Sequence, residues 1–300
     1  MKPEKHIFVV NPIAGGGTDV PALRRKVEEL NVPFEIYVTE APGDATRFVK
    51  ERARTGEALR FYACGGDGTL KEVAQGAAGI DGISITCYAI GSGNDFVRVW
   101  GGREVFRDLK ALAEAEDRVI DAISVNGEVC INACHFGFDS TVADTMNTVR
   151  SKKIIGGKNA YTTGVIKGLI SGMKHKAVIT ADGEILCSDT FLLCSVCNGG
   201  YVGGGYRCAP YSLQDDGLLE VCLVKPVSRL KFLKLMDAYR EGKHLEDPRF
   251  KPIILYRRSR TVEVRGGPGF AVSLDGEIMK EPEIRISVLP GALRFAVPEK

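Results

Sequence analysis

Residues 61–72 read FYACGGDGTLKE. An apolar run breaks at Gly65-Gly66-Asp67-Gly68-Thr69, and a helical pattern resumes behind it. Adjacent glycines let a backbone come close to a ligand and tolerate positive φ. Asp67 puts an acid inside the turn. Thr69 offers a hydroxyl where a helix is expected to begin, the end of a helix that attracts phosphate. At a strand-to-helix junction this combination suggests a nucleotide phosphate with its metal ion. Taken alone, the stretch fits an ordinary tight turn with a capping threonine equally well, because short glycine motifs often match by chance.

Around this stretch, strand and helix patterns alternate. His6–Val10, Phe34–Val38, Arg60–Cys64 and Ile83–Ile90 read as strands. Val20–Leu30 reads as a helix with Val20, Leu23, Val27 and Leu30 on one face. Asp44–Arg54 reads as a helix with Asp44 as its N-cap, and Leu70–Ala78 and Arg103–Ala115 as two more. Such alternation implies a mostly parallel sheet with helices on both faces, whose ligands sit at the carboxyl ends of the strands. The glycine-rich segments 11–17, 65–69 and 91–95 each follow a predicted strand and so are expected to converge on one edge. From about Val119 the segments become short and β-rich, with hairpin signals at Asn126-Gly127 and Asp182-Gly183. Helical patterns over 139–150, 159–171 and 230–241 interrupt them. This half reads as an antiparallel sandwich. The expected domains are 1–120, rejoined by 291–300, and 121–290.

Composition narrows the function. The chain has 300 residues, 44% hydrophobic and 26% charged, the balance of a soluble globular protein. A net charge of +2 makes no electrostatic case for nucleic acid, and none is expected as a partner. No stretch approaches the roughly 18 consecutive apolar residues of a membrane span. MKPEKHIFVVNP shows no signal-peptide pattern, so a cytoplasmic protein with at most peripheral membrane association is expected. The nine cysteines are irregularly spaced, and most lie in apolar runs, as Cys64, Cys87, Cys187, Cys194, Cys197 and Cys222 do. They read as small buried hydrophobes, and the lone Cys194/Cys197 pair has no partners for a zinc site. His6, His135, His175 and His244 are scattered and offer no triad.

Three glycine-rich segments, Asn11-Pro12-Ile13-Ala14-Gly15-Gly16-Gly17, GGDGT and Gly91-Ser92-Gly93-Asn94-Asp95-Phe96, precede Asp215-Asp216-Gly217 and Asp275-Gly276-Glu277. In this order the set resembles the diacylglycerol kinase catalytic-domain family, in its soluble bacterial lipid kinase branch. Asn132, Gly137-Phe138-Asp139, Asn198-Gly199 leading to Gly203-Gly204-Gly205, and Ala209-Pro210 support the match, which covers essentially the whole chain. The resemblance implies an NAD kinase/diacylglycerol kinase-like fold: an α/β, Rossmann-like three-layer N-terminal domain and a C-terminal antiparallel β-sandwich. It implies ATP as co-substrate, bound between the domains, with Mg²⁺, and a lipid acceptor reached at a membrane surface; some relatives form homodimers.

The implied nucleotide contacts are Asn11, Pro12, Gly15, Gly16, Thr39, Gly65, Gly66, Asp67, Gly68, Thr69, Glu72 and Ser92. Ser92 stands where the family usually has threonine and keeps the hydroxyl. Asp67 is implied to act through the active-site Mg²⁺ or its waters. Glu277 is the implied general base, in keeping with a loose transition state that needs little deprotonation help. Asp216, with the main-chain carbonyls of Leu213 and Leu218, is implied to hold a structural Mg²⁺, a suitable oxygen donor set for a hard cation. Each has a plainer reading: Thr39 as a strand-end residue, Asp67 as a turn stabiliser, Asp-Asp-Gly as a β-turn, Glu277 as the solvated flank of an Asp-Gly hairpin. Candidate membrane-seeking cations are Lys152-Lys153, Lys174-His175-Lys176 and Arg257-Arg258. GGDGT is shared with NAD kinases, and a soluble small-molecule kinase is one alternative, although the chain lacks the Asn-Glu dipeptide usual in them. A non-catalytic nucleotide- or lipid-binding regulator is the other.

Overall fold

Ile7, Phe8, Val9 and Val10 are all fully buried, so the first strand, β1 (Lys5–Val10), is covered on both faces. The computed structural model describes residues 3–138, 140 and 173–299; the helical patterns expected over 139–150 and 159–171, and Lys152-Lys153, lie outside the described residues. The chain divides into two units, Met1–Ala122 with Gln214–Asp216 and Leu289–Lys300, and Ile123–Leu213 with Gly217–Val288.

In the first unit, β1 lies between β2 (Phe34–Val38) and β3 (Leu59–Gly65), and β4 (Ile83–Ala89) pairs with β3, all parallel. β3 and β4 are buried at every position, the continuous apolar pattern of a parallel sheet. The last strand, β18 (Glu283–Val297), adds to β4 in parallel through Phe295 opposite Ile85. Phe295 sits edge-on to Phe96 and tilted against Phe106. Helix α1 (Val20–Glu28) is capped by the Asp19 carboxylate, which accepts the Ala22 N–H at 2.9 Å. Helices α2 (Asp44–Ala53) and α3 (Asp67–Ala77) cross so closely that a Cβ at Gly76 would lie 2.8 Å from the Thr46 carbonyl oxygen.

Three sequence expectations are corrected here. Asp44 is not an N-cap: the cap is Gly43, with left-handed φ, and the Asp44 carboxylate accepts from Glu40 N–H, Tyr37 Oη and Arg47 instead. The third helix starts at Asp67 rather than Leu70, so Thr69 lies inside its first turn. Residues 103–115 do not form one helix. Asp108 is extended and caps a short α4 (Leu109–Glu114) through the Lys110 and Ala111 N–H groups, which separates it from a turn at Val105–Arg107. Buried Arg60 then ties the end of α4 down, donating to the carbonyls of Leu112, Ala113 and Ala115 and to Asp117.

The second unit is a β-sandwich. β14 (Ile254–Ser259), β13 (Leu219–Val224), β12 (Leu193–Cys197), β7 (Ala133–Gly137), β16 (Ala271–Leu274) and β17 (Glu277–Lys280) form one antiparallel sheet in that order. β10 (Glu184–Cys187), β9 (Val178–Ala181), β15 (Thr261–Arg265) and the start of β18 form the other, with β5 (Glu116–Val125) and β6 (Glu128–Cys130) attached, and β8 (His175–Lys176) pairs antiparallel with β11 (Thr190–Phe191). Phe136, Val196, Val221 and Val272 from the first sheet share a core with Ile179, Val262, Ile284 and Ile286 from the second. Asn126, Asp182 and Asp275 all have positive φ followed by a positive-φ glycine, the hairpin geometry their Asx-Gly sequences call for. Helix α5 (Arg229–Arg240) packs outside this core. The nine cysteines are free, and all but Cys187 are buried.

Burial holds His6, His135 and His244 down to about 4, with Arg60 adding to the effect on His6. Unfolded histidine titrates near 6.5. Below that value the unfolded chain takes up protons that the folded chain refuses, so this stability is complete above about pH 6.5 and is lost as pH falls towards 4. Chemical denaturation at pH 7 and pH 5.5 is expected to differ by about 1 kcal/mol per histidine, and His6→Gln should shrink the difference.

Candidate functional site

The loops after β1, β2, β3 and β4 all leave the carboxyl edge of the parallel sheet, and they are bound to one another. The Gly65 carbonyl accepts from the N–H groups of Ile90 (3.2 Å) and Gly91 (2.8 Å) and from Asn94 Nδ2 (3.1 Å). Asp67 opens α3 and accepts the Asp95 N–H at 2.7 Å and the Phe96 N–H at 3.4 Å. Asn11 donates its backbone N–H to the Cys64 carbonyl and its Nδ2 to Thr69 Oγ1. Thr39 donates its N–H and its hydroxyl to the Val10 carbonyl.

Two kinds of glycine build this edge. At Gly15 a Cβ would lie 2.3 Å from the Ile90 oxygen, at Gly65 2.2 Å from Thr69 Oγ1, at Gly91 2.2 Å from the Gly66 Cα and at Gly93 2.6 Å from Asp67 Oδ2. Gly15, Gly91 and Gly93 are required by contacts between loops, and Gly65 by the first turn of α3. Gly16, Gly17 and Gly68 would place a Cβ in open space, with nothing within 4 Å. Bare main chain facing outwards beside a helix N-terminus is a surface suited to phosphate. Ser92 is exposed on the same loop as Gly91 and Gly93. Among the implied nucleotide contacts Glu72 is turned elsewhere: its Oε2 accepts the Ala45 N–H at the start of α2. A hollow of about 1440 Å³ lies by the starts of β1 and β3, not at these loops. It mixes Lys26, Arg107 and Lys110 with Glu29, Glu104 and Glu114, and the Arg60 donors there are spent on α4 carbonyls and Asp117.

The second unit gathers its own set. The Asp275 carboxylate accepts the N–H groups of Ile131 (2.8 Å), Asn132 (3.2 Å) and Ala133 (2.8 Å). The Asn132 carbonyl accepts from Asn198 and Gly199, and Asn132 Nδ2 donates to the Tyr201 carbonyl. The motif residues Asn132, Asn198-Gly199 and Asp275 therefore meet around one strand connection. Glu277, two residues beyond Asp275, is exposed where β17 begins. Asp275 was read from sequence only as part of a turn; its role as a triple acceptor depends on a connection more than 140 positions away. Asn94, with a left-handed φ of 54°, is the residue that turns the loop back onto Gly65.

Leu213 is 54% exposed, Asp216 is half-buried, and Gly217, with φ of 70°, turns the chain before Leu218. Carboxylate and main-chain carbonyl oxygens are the donor types that suit a hard divalent cation. Among the described residues no group of three or more His, Cys, Asp or Glu side chains is placed to hold a metal.

Comparison with known proteins agrees with this geometry. Residues 5–125 match the diacylglycerol kinase catalytic domain, and residues 132–297 match the YegS C-terminal NAD kinase beta sandwich-like domain. A protein of Pseudomonas aeruginosa strain UCBPP-PA14 named "Probable lipid kinase YegS-like" is 33% identical over 99% of this chain and 96% of its own length. A protein of the same name from Pseudomonas fluorescens strain Pf-5 is 31% identical over 89% and 86%. The crystal structure of a diacylglycerol kinase from Bacillus anthracis str. Sterne superposes with a TM-score of 0.72 at 22% identity, covering 100% of this chain and 98% of that one. An NAD kinase from Archaeoglobus fulgidus, solved in complex with ATP, shares the fold at a TM-score of 0.52 and 14% identity, over 98% and 94%. The chain belongs to the YegS-like lipid kinases, a family of phosphotransferases built on the diacylglycerol kinase catalytic domain.

Two pairs of substitutions separate scaffold from surface. Gly91→Ala is expected to cost about 2 kcal/mol or more in urea denaturation because its Cβ has no room, while Gly68→Ala should leave stability within about 0.5 kcal/mol. Asp275→Ala should cost about 3 kcal/mol by stranding three N–H groups, and substitution of the exposed Glu277 by Ala clearly less.

Proposed function

We propose that this protein transfers the γ-phosphate of ATP to a hydroxyl of diacylglycerol or a related lipid, with Mg²⁺ bound. One observation carries the reading: the outward-facing main chain at Gly16, Gly17 and Gly68, beside the N-terminus of α3 and rigidly backed by the other four glycines. Phosphoryl transfer depends mostly on holding and neutralising the triphosphate, and preorganised N–H groups do this without reorganisation. Asn11, Pro12, Gly15, Gly16, Thr39, Gly65, Gly66, Gly68, Thr69 and Ser92 form this cradle, with Glu72 supporting it from behind through α2. Asp67 Oδ1 is engaged by the Asp95 N–H, and its carboxylate supplies negative charge for the metal on the nucleotide side.

Mg²⁺ would be held by Asp216 and the Leu213 and Leu218 carbonyls at the structural position, and by Asp67 at the nucleotide, where it would neutralise phosphate charge. Glu277 takes the proton from the acceptor hydroxyl as the new P–O bond forms and the bond from the γ-phosphorus to the β,γ-bridging oxygen breaks, with ADP as the leaving group. Asp275 does no proton transfer: its oxygens accept three main-chain N–H groups and hold the turn that carries Glu277. The 1–120 and 121–290 domains correspond to nucleotide and acceptor functions, with the last residues returning to the first.

The deciding assay incubates the protein with γ-labelled ATP, Mg²⁺ and a mixed lipid panel. Label is expected in a phospholipid. NADP formed from NAD and ATP would overturn the lipid reading in favour of a soluble-substrate kinase, and ATP binding without transfer to any lipid would indicate a regulator. Glu277→Ala and Asp67→Asn, which keeps the acceptor for Asp95 N–H, are each expected to lower transfer by about a hundredfold or more with unchanged thermal midpoints. Near-normal turnover in either removes that residue from the mechanism.

A further inference from the structure

Ser228 starts α5 by accepting the Lys231 N–H on its Oγ at 3.2 Å, so this helix is anchored from its first turn. Its inward face is also settled. Phe232 stacks at a tilt on Phe138, and Leu235 packs with Phe250 and Ile253. The opposite face carries Leu230, 64% exposed, and Leu233, 49% exposed, which are neighbours on the helix surface. The surrounding stretch 225–234, KPVSRLKFLK, holds Lys225, Arg229, Lys231 and Lys234 and no acid, in a chain whose net charge is +2. Lys225, Arg229 and Lys234 are exposed. Of the cations proposed from sequence, Arg257 is paired with Glu184 at 2.5 Å and Arg258 with Glu220 at 3.1 Å.

We propose that the N-terminal half of α5 docks this protein on an anionic lipid bilayer. Leu230 and Leu233 enter the boundary between headgroups and acyl chains, and Lys225, Arg229, Lys231 and Lys234 lie at the level of the lipid phosphates. A short helix with exposed leucines inside a cationic rim has the chemistry of an interfacial anchor. A second copy of the chain fits this face poorly. A twofold contact would lay the same patch on itself and bring cation against cation. The inference rests on the lipid-kinase reading only for the reason the protein visits a bilayer; the docking physics does not depend on it.

The test is co-sedimentation with vesicles of phosphatidylcholine alone and of phosphatidylcholine with one-third phosphatidylglycerol. The wild-type protein is expected to bind the anionic vesicles, and to bind them less as salt rises. Leu230→Gln with Leu233→Gln, and Lys231→Glu with Lys234→Glu, should each lower partitioning by about tenfold or more. Both variants should keep the wild-type circular dichroism, thermal midpoint and phosphate transfer to a monomeric short-chain diacylglycerol. Wild-type protein that ignores anionic vesicles overturns the proposal, as does undiminished binding by both variants. So does a leucine variant that converts a dimer to a monomer while binding vesicles normally. Protein that binds vesicles through α5 but phosphorylates no lipid would instead overturn the kinase reading and leave the docking surface standing.

Discussion

A single 2.7 Å hydrogen bond from the Asp95 N–H to the Asp67 carboxylate sets the spacing of the loops at the carboxyl edge of the parallel sheet. It draws the loop after β4 across the start of α3, and that approach is possible only because Gly91 and Gly93 bring no side chain into the gap. The Gly65 carbonyl, with its three donors, locks the same two loops a few ångströms further back. Asn11, reaching both Cys64 and Thr69, adds the loop after β1. The glycines left facing outward are useful to a ligand because those facing inward are already in contact.

The plain and the chemical readings of the motif acids turn out not to compete. Asp67 is a turn-stabilising acid, and that task leaves it at the mouth of the cradle. In the other unit the two acids of the motif differ in their surroundings. Asp275 accepts three N–H groups from 131–133, and Glu277 stays exposed where the next strand begins. An Asp-Gly-Glu triplet read along the chain gives both acids equal weight; in three dimensions Asp275 is held by three main-chain N–H groups and Glu277 is exposed.

Much of the fold was legible because its signals are local. Buried runs such as ISITCYA, the Asx-Gly turns and the strand–helix alternation each follow from periodicity or φ preference within a few residues. What was misread depended on side-chain bonds that periodicity does not register. The carboxylate of Asp108 divides an apparently continuous helix, and that of Asp44 bonds back to Glu40 and Tyr37 instead of capping. The site was legible as a list of glycines and acids. Which glycines face a ligand and which face a neighbouring loop depends on contacts such as Gly15 with Ile90, and Glu72 turning to α2 was equally invisible. The leucines of α5 are ambiguous for a related reason: Leu230, Leu233 and Leu235 look alike in sequence, and only packing shows which of them is buried.

The last strand has a consequence for how the protein is made. Phe295 fills the space between Phe96 and Phe106, and the Ala296 carbonyl accepts the Thr86 hydroxyl. These partners emerge from the ribosome some 200 residues before the strand that completes them. The first unit therefore waits, with one flank of its sheet open, until nearly all of the second has been synthesised. A nascent chain stalled within β18 would expose the edge of β4, a strand buried at every position in the finished protein and a ready template for pairing with a neighbour. In this architecture the N-terminal half, although first to be made, is the last to be sealed.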